Sequence, residues 1–286
     1  MPSVSFEYFP PRNLEGQGVL AETVKVLSQF QPEFQSVTYG AGGSNKEGTL
    51  DTLSTLGGSS VTPVASHFTY TGSKAADISE FANELWQSGV RKLVALRGDD
   101  RGSESPEVFK STAQFVQTLK RYHPFEIAVS CYPEVHPLAE SREKDLAVLK
   151  EKELAGASFA ISQFFFDNSV FYRFVEEARD FGITLPIVPG ILPIYDFAKV
   201  RKMAAECGTS IPAHVEKAFG ASNTSGSDAA EVACELLKAQ VHDLAVAGFE
   251  SIHIYTLNRS DLAGKAASTF LDAHAVIENS KRRLVA

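Results

Sequence analysis

Short apolar runs rich in β-branched and aromatic residues alternate with longer amphipathic stretches along the chain. The short runs are almost continuously hydrophobic, which is typical of parallel strands buried on both faces, whereas the longer stretches repeat apolar residues at helical spacing. The eight predicted strands cover residues 3–9, 34–39, 61–68, 92–96, 126–132, 159–165, 186–191 and 251–256. The predicted helices cover residues 20–30, 75–89, 107–122, 141–155, 170–181, 197–207 and 229–248.

Residues typical of helix ends support several of these helices. Ser141, followed by Lys144 and Asp145, is typical of a capped helix start, and Pro106 suits a first helical turn. Glycines stand at four positions where a helix-to-strand turn is expected to begin, namely Gly89, Gly156, Gly182 and Gly248.

Strand–helix units that follow one another at intervals of about 30 residues predict an α/β fold, a single (β/α)8 TIM barrel. Residues 211–219 predict an extra short helix before strand eight, ahead of a polar loop at 220–227. Because the pattern runs without an internal linker, we expect residues 1–286 to form one domain. A doubly wound sheet is the alternative, but no predicted strand is followed by a GxGxxG turn.

Composition narrows the function classes. The 286 residues carry 27 Lys and Arg against 35 Asp and Glu, a net charge of −8 that argues against a general nucleic-acid binder. No apolar stretch reaches the roughly 18 residues of a membrane helix, and the N-terminus lacks a signal-peptide pattern, so we expect a cytoplasmic protein. Cys131, Cys207 and Cys234 are far apart and predict free thiols.

In a barrel the C-terminal strand ends form one mouth, which is where catalytic residues lie. Glu7 follows an apolar strand among three aromatic residues, and poor solvation there would favour the neutral acid and suit it to proton donation. An ion-paired carboxylate is the alternative. Asp99 is a second candidate, with pairing to Arg97 as its alternative.

Other strand ends carry weaker signals. His67 and His136 are potential metal ligands, but the HxH pair of barrel hydrolases is missing, so we expect no metal site. The glycine-rich turn at residues 40–43 either leaves amides open to a phosphate or permits a tight bend. The aromatic run at residues 164–166 is more typical of a core than of a cofactor platform.

Seven motifs follow one another in order at the strand ends: FEYFPP, SVTYGAGG, ALRGD, YPEVHP, QFFFD, PGILP and YTLNR. As a set, from about Ser3 to Ala266, they resemble the bacterial methylenetetrahydrofolate reductase family. The resemblance implies a barrel that contains FAD and reduces 5,10-methylenetetrahydrofolate to 5-methyltetrahydrofolate. NADH or NADPH would donate the hydride in a ping-pong reaction through FAD. The pathway would be one-carbon metabolism, with methyl supply for methionine synthesis or the reverse oxidation.

The resemblance also assigns roles to residues. Glu7 would be the general acid that protonates the folate, and Asp99 would tune the flavin and hydrogen-bond the pterin. The flavin-binding residues implied are Thr38, His67, Leu96, Arg97, Gly98, Asp99, Tyr132, His136, Asp145 and Lys152. The folate-binding residues implied are Gln163, Phe164, Lys199, Met203, Tyr255, Leu257 and Arg259, the last pairing with the glutamate tail of folate.

The chain departs from the family pattern at several positions. Lys199 and Met203 replace a Gln and, one turn later, a Phe that stacks against the substrate. Val148 replaces an Asn that contacts the cofactor, so we expect weaker FAD retention. Residues 220–227 and 268–286 also differ, and such peripheral segments often set subunit contacts; we expect a homo-oligomer of unspecified order.

Three other functions are compatible with the same barrel. NADH could deliver hydride directly to the folate without FAD, an idea that the change at Val148 motivates. A non-catalytic folate or flavin carrier is disfavoured because Glu7 and Asp99 are both present. A barrel metallohydrolase is disfavoured by the missing HxH pair.

Overall fold

The computed structural model describes residues 1–39, 46–59, 62–98, 108–220 and 227–285. Its parallel strand segments are β1 (Ser3–Tyr8), β2 (Phe34–Val37), β3 (Val64–Thr69), β4 (Lys92–Leu96), β5 (Glu126–Cys131), β6 (Phe159–Ser162), β7 (Ile187–Val188), β8 (Gly190–Ile191) and β9 (Ser251–Tyr255). Its α-helices are α1 (Leu14–Leu27), α2 (Lys46–Ser59), α3 (Ala75–Gln87), α4 (Thr112–Tyr122), α5 (Arg142–Leu154), α6 (Asn168–Asp180), α7 (Phe197–Cys207), α8 (Ala213–Gly220), α9 (Ser227–Val246) and α10 (Asp261–Val285).

The sheet closes through its seventh strand, which is split in two. Only Pro189 separates β7 from β8, and β7 pairs with β6 while β8 pairs with β9. The split follows from Pro189, which has no N–H to give to a ladder, and its carbonyl accepts the His253 N–H at 2.9 Å. The result is an eight-position βα barrel with α8 as an extra helix before the last strand, which confirms the predicted TIM-barrel fold.

Alternation along the strands separates an inner core from an outer one. A small inner cluster fills the barrel, whereas a much larger outer cluster lies between strands and helices. Lys92 and Glu126, opposite each other at the starts of β4 and β5, form an ion pair of 2.6 Å at the N-terminal end. The inner cluster comprises Phe34, Ala65, Val94, Ala128 and Ile161.

Helix ends follow the local sequence signals. Ser141 accepts the Lys144 N–H at 3.2 Å, as its predicted capping role requires. The four predicted turn glycines all have φ between +82° and +101°, the left-handed region that favours glycine. Helix α1 begins earlier than predicted because Asn13 caps the Gly16 N–H at 2.8 Å. Pro106 lies outside the described residues.

Two helices were not predicted. Helix α2 is rich in Thr, Ser and Gly, so its apolar periodicity is weak. Helix α10 occupies part of the divergent C-terminal segment, where small residues hide a buried face formed by Ala263, Ala266, Ala267 and Phe270. The three cysteines are free thiols, as predicted. Within the described ranges, no helix combines the length and apolarity needed to cross a membrane.

Candidate active site

The barrel gathers most of the predicted site residues at the C-terminal ends of its strands. Glu7 and His67 stand near the ends of β1 and β3, and Arg97 and Gly98 follow β4. Asp99 lies outside the described residues, as does the glycine turn at residues 40–43. The remaining predicted residues at or just after strand ends are Thr38, Leu96, Tyr132, Gln163, Phe164, Tyr255, Leu257 and Arg259.

Glu7 lies between two imidazole rings. Its Oε2 is 3.1 Å from Nε2 of His67 and 3.6 Å from Nε2 of His253. Side-chain exposure falls from 19% for Glu7 to 9% for His67 and 0% for His253, so the cluster leads from the mouth into the barrel wall. His253 was not predicted as a site residue, although it lies two residues before Tyr255 on the same inward face of a strand.

The charge state of Glu7 differs from the expected neutral acid. Burial alone would raise the pKa of Glu7, but the two imidazole rings beside its carboxylate, that of His67 most strongly, lower it to about 2. The flanking Phe6 and Tyr8 do not desolvate the carboxylate because adjacent strand residues point to opposite faces, and both rings lie in the outer core. The ion-paired alternative is therefore the one that the structure supports.

The ring of His253 is held from several sides. Its Nδ1 is 2.8 Å from Oγ of Ser5, the residue opposite it on β1. Phe34 stacks on it with centroids 5.6 Å apart, and Tyr255 meets it edge-on at 5.3 Å. Tyr255 donates to the Ser162 carbonyl at 2.7 Å. Burial raises the pKa of Tyr255 well above its ordinary value, so it keeps its proton.

The end of β4 brings backbone close to a neighbouring strand. Gly98 has φ +89°, and a Cβ there would lie 2.9 Å from Cβ of Thr69, so only glycine fits. The Arg97 carbonyl accepts the backbone N–H groups of Tyr70 and Thr71 at 3.2 and 3.0 Å. Thr38, beyond β2, is buried, and its Oγ1 lacks a hydrogen-bond partner among the described residues.

A second polar group forms where β5 leads into α5. The rings of Tyr132 and His136 meet edge-on at 4.4 Å, and Asp145 accepts the His136 N–H at 3.1 Å. Nζ of Lys152 donates to the Ser130 carbonyl at 2.8 Å. Burial lowers the pKa of Lys152 and of His136 and raises the pKa of Asp145. The four predicted flavin residues of this segment are thus packed together.

The residues that follow β6 are more buried than their predicted role in binding folate suggests. Gln163 accepts the Phe164 N–H on its own Oε1 at 3.0 Å. Phe164 is only 4% exposed and packs at 5.7 Å against Phe166, and Phe165 is also buried. The core environment favoured for this aromatic run is confirmed.

The loop after β9 is shaped by left-handed backbone. Leu257 and Asn258 have φ of +51° and +55°. Asn258 accepts the Phe9 N–H at 3.0 Å and donates Nδ2–H to the Phe9 carbonyl at 2.8 Å, so it ties this loop to the loop after β1. Sequence reasoning missed Asn258; its tolerance of left-handed backbone was the available signal.

Arg259 faces an open cavity at the rim of the barrel. Its guanidinium lies 4.0 Å above the Tyr195 ring and 2.9 Å from Oδ2 of Asp261. These three residues help line a cavity of ≈ 420 Å³, together with residues of α7 to α10. On α7, Lys199 is exposed with Nζ 3.3 Å from Asp196, and Met203 packs partly buried against the outer core.

No group of three or more His, Cys, Asp or Glu side chains in the described part of the chain is arranged to hold a metal ion.

The family model for methylenetetrahydrofolate reductase matches residues 1–269. The chain belongs to this family. The Escherichia coli (strain K12) 5,10-methylenetetrahydrofolate reductase is 36% identical over 262 residues, which cover 91% of this chain and 88% of the relative.

Other relatives of this methylenetetrahydrofolate reductase family member differ in length or only share its fold. A probable methylenetetrahydrofolate reductase (NADH) of Oryza sativa subsp. japonica is 32% identical over 97% of this chain but only 49% of its own length. An uncharacterized Clostridium thermocellum protein that binds two copies of 5-methyl-5,6,7,8-tetrahydrofolic acid superposes with a TM-score of 0.66 over 96% of both chains. At 11% identity this last likeness shows the fold alone.

Proposed function

We propose that this protein reduces 5,10-methylenetetrahydrofolate to 5-methyltetrahydrofolate with a hydride that passes from NADH or NADPH through FAD. The observation that carries the proposal is Glu7, held at the barrel mouth by two imidazole rings in a chain of this family. A carboxyl group at that place suits proton donation to a bound folate.

The residues around the mouth fit an FAD. The buried, unpartnered Oγ1 of Thr38 is available to a ligand, and the glycine-only backbone at Gly98 allows close approach to a ring. Tyr132 and His136 offer an aromatic edge, and the cations of Arg97 and Lys152 suit phosphate charge. Bound FAD would accept the hydride and pass it on. Leu96, His67 and Asp145, with Asp99 outside the described residues, complete the proposed set.

The protein's own contribution to the folate step is one proton and its placement. Glu7 would give a proton to the bridging nitrogen of the folate, so that the five-membered ring opens to an iminium that accepts the hydride. The histidines keep Glu7 ionised in the free protein. The proton for the folate must therefore be held by Glu7, His67 or His253, or arrive with the substrate. Exclusion of water from the mouth would strengthen this transfer.

Folate placement is proposed from the other strand ends. Gln163 would hydrogen-bond the pterin beside Phe164, Tyr255 and Leu257. The ≈ 420 Å³ cavity beside Arg259 would take the glutamate tail, since a local cation is needed in a chain of net charge −8. Lys199 and Met203 would border the nicotinamide or the folate on α7. We further infer that residues 1–286 act as one FAD-binding unit in the cytoplasm, as a homo-oligomer.

Flavin-free hydride transfer is the second candidate, because Val148 offers no hydrogen bond where the family has an Asn. An anaerobic absorption experiment on untagged protein separates the two. A flavin band that NADH bleaches and methylenetetrahydrofolate restores would support the FAD route. Absence of any band after adding FAD, with NADH still consumed by the folate, would support the direct route.

Glu7→Gln tests the proton donor. We expect flavin reduction by NADH to be nearly unchanged and folate-dependent reoxidation to fall by about 10²–10⁴-fold, the usual range for a lost general acid. Stopped-flow absorbance measures both half-reactions. Glu22→Gln on the exposed face of α1 is the matched control. Normal reoxidation in Glu7→Gln would reject the assignment.

A further inference from the structure

His253 has the environment of a residue that serves Glu7. It is fully buried in the barrel wall, with Nδ1 against Ser5 and Nε2 directed towards Glu7 at 3.6 Å. The stacked Phe34 and the edge-on Tyr255 leave its ring little freedom to turn. Fully buried histidines need partners for both nitrogens, but Nε2 of His253 makes no hydrogen bond among the described residues and faces the Glu7 carboxylate at 3.6 Å.

The exposure of the three groups determines how protons reach them. Glu7 is 19% exposed and can exchange protons at the mouth, whereas Nε2 of His67 is buried and His253 is sealed at 0%. Among the described residues, the titratable groups that face His253 are Glu7 from β1, His67 beyond it on β3, and Tyr255 on its own strand. Tyr255 keeps its proton in its bond to the Ser162 carbonyl. Glu7 is therefore the proton-exchange partner of His253.

We propose that His253 is a positioning residue that stores the proton which Glu7 delivers to the folate. This inference rests on the proposed function. In this transfer the Nε2–H bond of His253 breaks and its proton passes to the Glu7 carboxylate; the O–H bond formed there then breaks as an N–H bond forms on the folate, which leaves Glu7 ionised again. The N–H electron pair stays on the imidazole, which becomes neutral. After product release a solvent proton enters through Glu7, so each cycle consumes one proton and one hydride.

His253→Gln tests the store, because the amide can hydrogen-bond to Glu7 and to Ser5 but cannot take up or release a proton. In the wild type we expect folate-dependent flavin reoxidation to be nearly constant between about pH 6 and pH 8. In the variant the rate should fall by up to about tenfold per pH unit, with the folate Kd changed by less than about threefold. Flavin reduction by NADH should be unchanged. His274→Gln, whose histidine contacts the Phe249 carbonyl away from the mouth, is the control.

A wild-type pH profile in His253→Gln would overturn the proposal. If that variant fails to fold, Ser5→Ala removes the Nδ1 partner and should shift the profile in the same direction; an unchanged profile would be equally decisive. Nitrogen NMR of the cofactor-free protein gives an independent readout. Both ring nitrogens of His253 should carry protons at pH 7, and one proton should be lost in Glu7→Gln.

A neutral His253 ring in the wild type would also overturn the proposal. The NMR readout tests the proposal about His253 independently of the proposed function. If wild-type flavin is never reoxidised by the folate, the proposed reaction fails, whereas the NMR result still decides whether His253 holds a proton.

Discussion

Glu153 shows how a carboxylate outside the mouth ties two elements together. It accepts Nζ–H of Lys150 at 2.7 Å and both the backbone N–H and the hydroxyl of Thr184 at 2.8 and 2.6 Å. Partial burial would raise its pKa, but these three bonds lower the pKa of Glu153 from 4.5 to about 2. The two bonds from Thr184 join α5 to the segment that leads into β7.

Glu153→Gln should therefore lower the free energy of unfolding at pH 7 by about 1–2 kcal/mol, the usual cost of weakening a charged hydrogen-bond group. A carboxyl whose folded pKa is depressed stabilises the fold above its unfolded pKa and loses this effect as pH falls through the folded value. The difference in the free energy of unfolding between wild type and variant should thus shrink from pH 4.5 towards pH 2. Urea titrations at several pH values measure this difference in the free energy of unfolding. Glu151→Gln, at an exposed position, is the control. A gap that stays constant would contradict this account.

At the scale of elements, the division of the seventh strand into β7 and β8 depends on two neighbouring residues, Pro189 and Gly190. Pro189 ends the pairing with β6, and Gly190 then passes so close to β6 and β9 that a Cβ would lie 2.1 Å from the Ser162 carbonyl and 2.8 Å from the Tyr255 ring. Gly190→Ala should destabilise the barrel by about 3 kcal/mol or more, since backbone cannot yield as a side chain can. Gly18→Ala, in α1 with nothing within 4 Å, should stabilise it by about 0.5–1 kcal/mol. Thermal unfolding distinguishes the two; equal effects would refute the close-approach argument.

The elements that the sequence predicted well are those whose signals are local. Helix α7 matches its predicted bounds of 197–207, and the cap at Ser141 and the turn glycines follow from backbone chemistry near each residue. Helices α2 and α10 were missed because small and polar residues mask their periodicity. The split of β7 and β8 depends on close approach between strands, which no local pattern reports.

At the level of the whole molecule, the barrel topology allowed the location of the mouth to be predicted from the sequence. The ionisation states of the residues there could not be predicted, because they depend on contacts between distant strands. The position of Glu7 at the mouth was predicted from its place at a strand end. Its ionisation depends on His67 and His253, which come from β3 and β9 and meet it only after the barrel closes. Sequence neighbours such as Phe6 point to the opposite face, so they gave the wrong expectation.

The proposed flavin site includes one face of α5. Asp145 and Lys152 both turn towards the strand-five exit, where they contact His136 and Ser130. Val148 lies three residues after Asp145 and four before Lys152, so helical spacing places it on the same face, and its side chain is 44% exposed. In the proposed site a polar side chain at position 148 would face the flavin, whereas valine offers no hydrogen bond.

Val148→Asn should therefore slow FAD loss by about 5–12-fold, which corresponds to one hydrogen bond of about 1–1.5 kcal/mol. The measurement is the flavin-to-protein ratio after dilution and gel filtration, followed over time by flavin fluorescence. Val148→Leu is the matched control, because it keeps the apolar surface without adding a donor. If Asn and Leu retain FAD equally, polar contact at this position does not limit retention. If Asn alone retains it, the face shared with Asp145 and Lys152 is part of the flavin site.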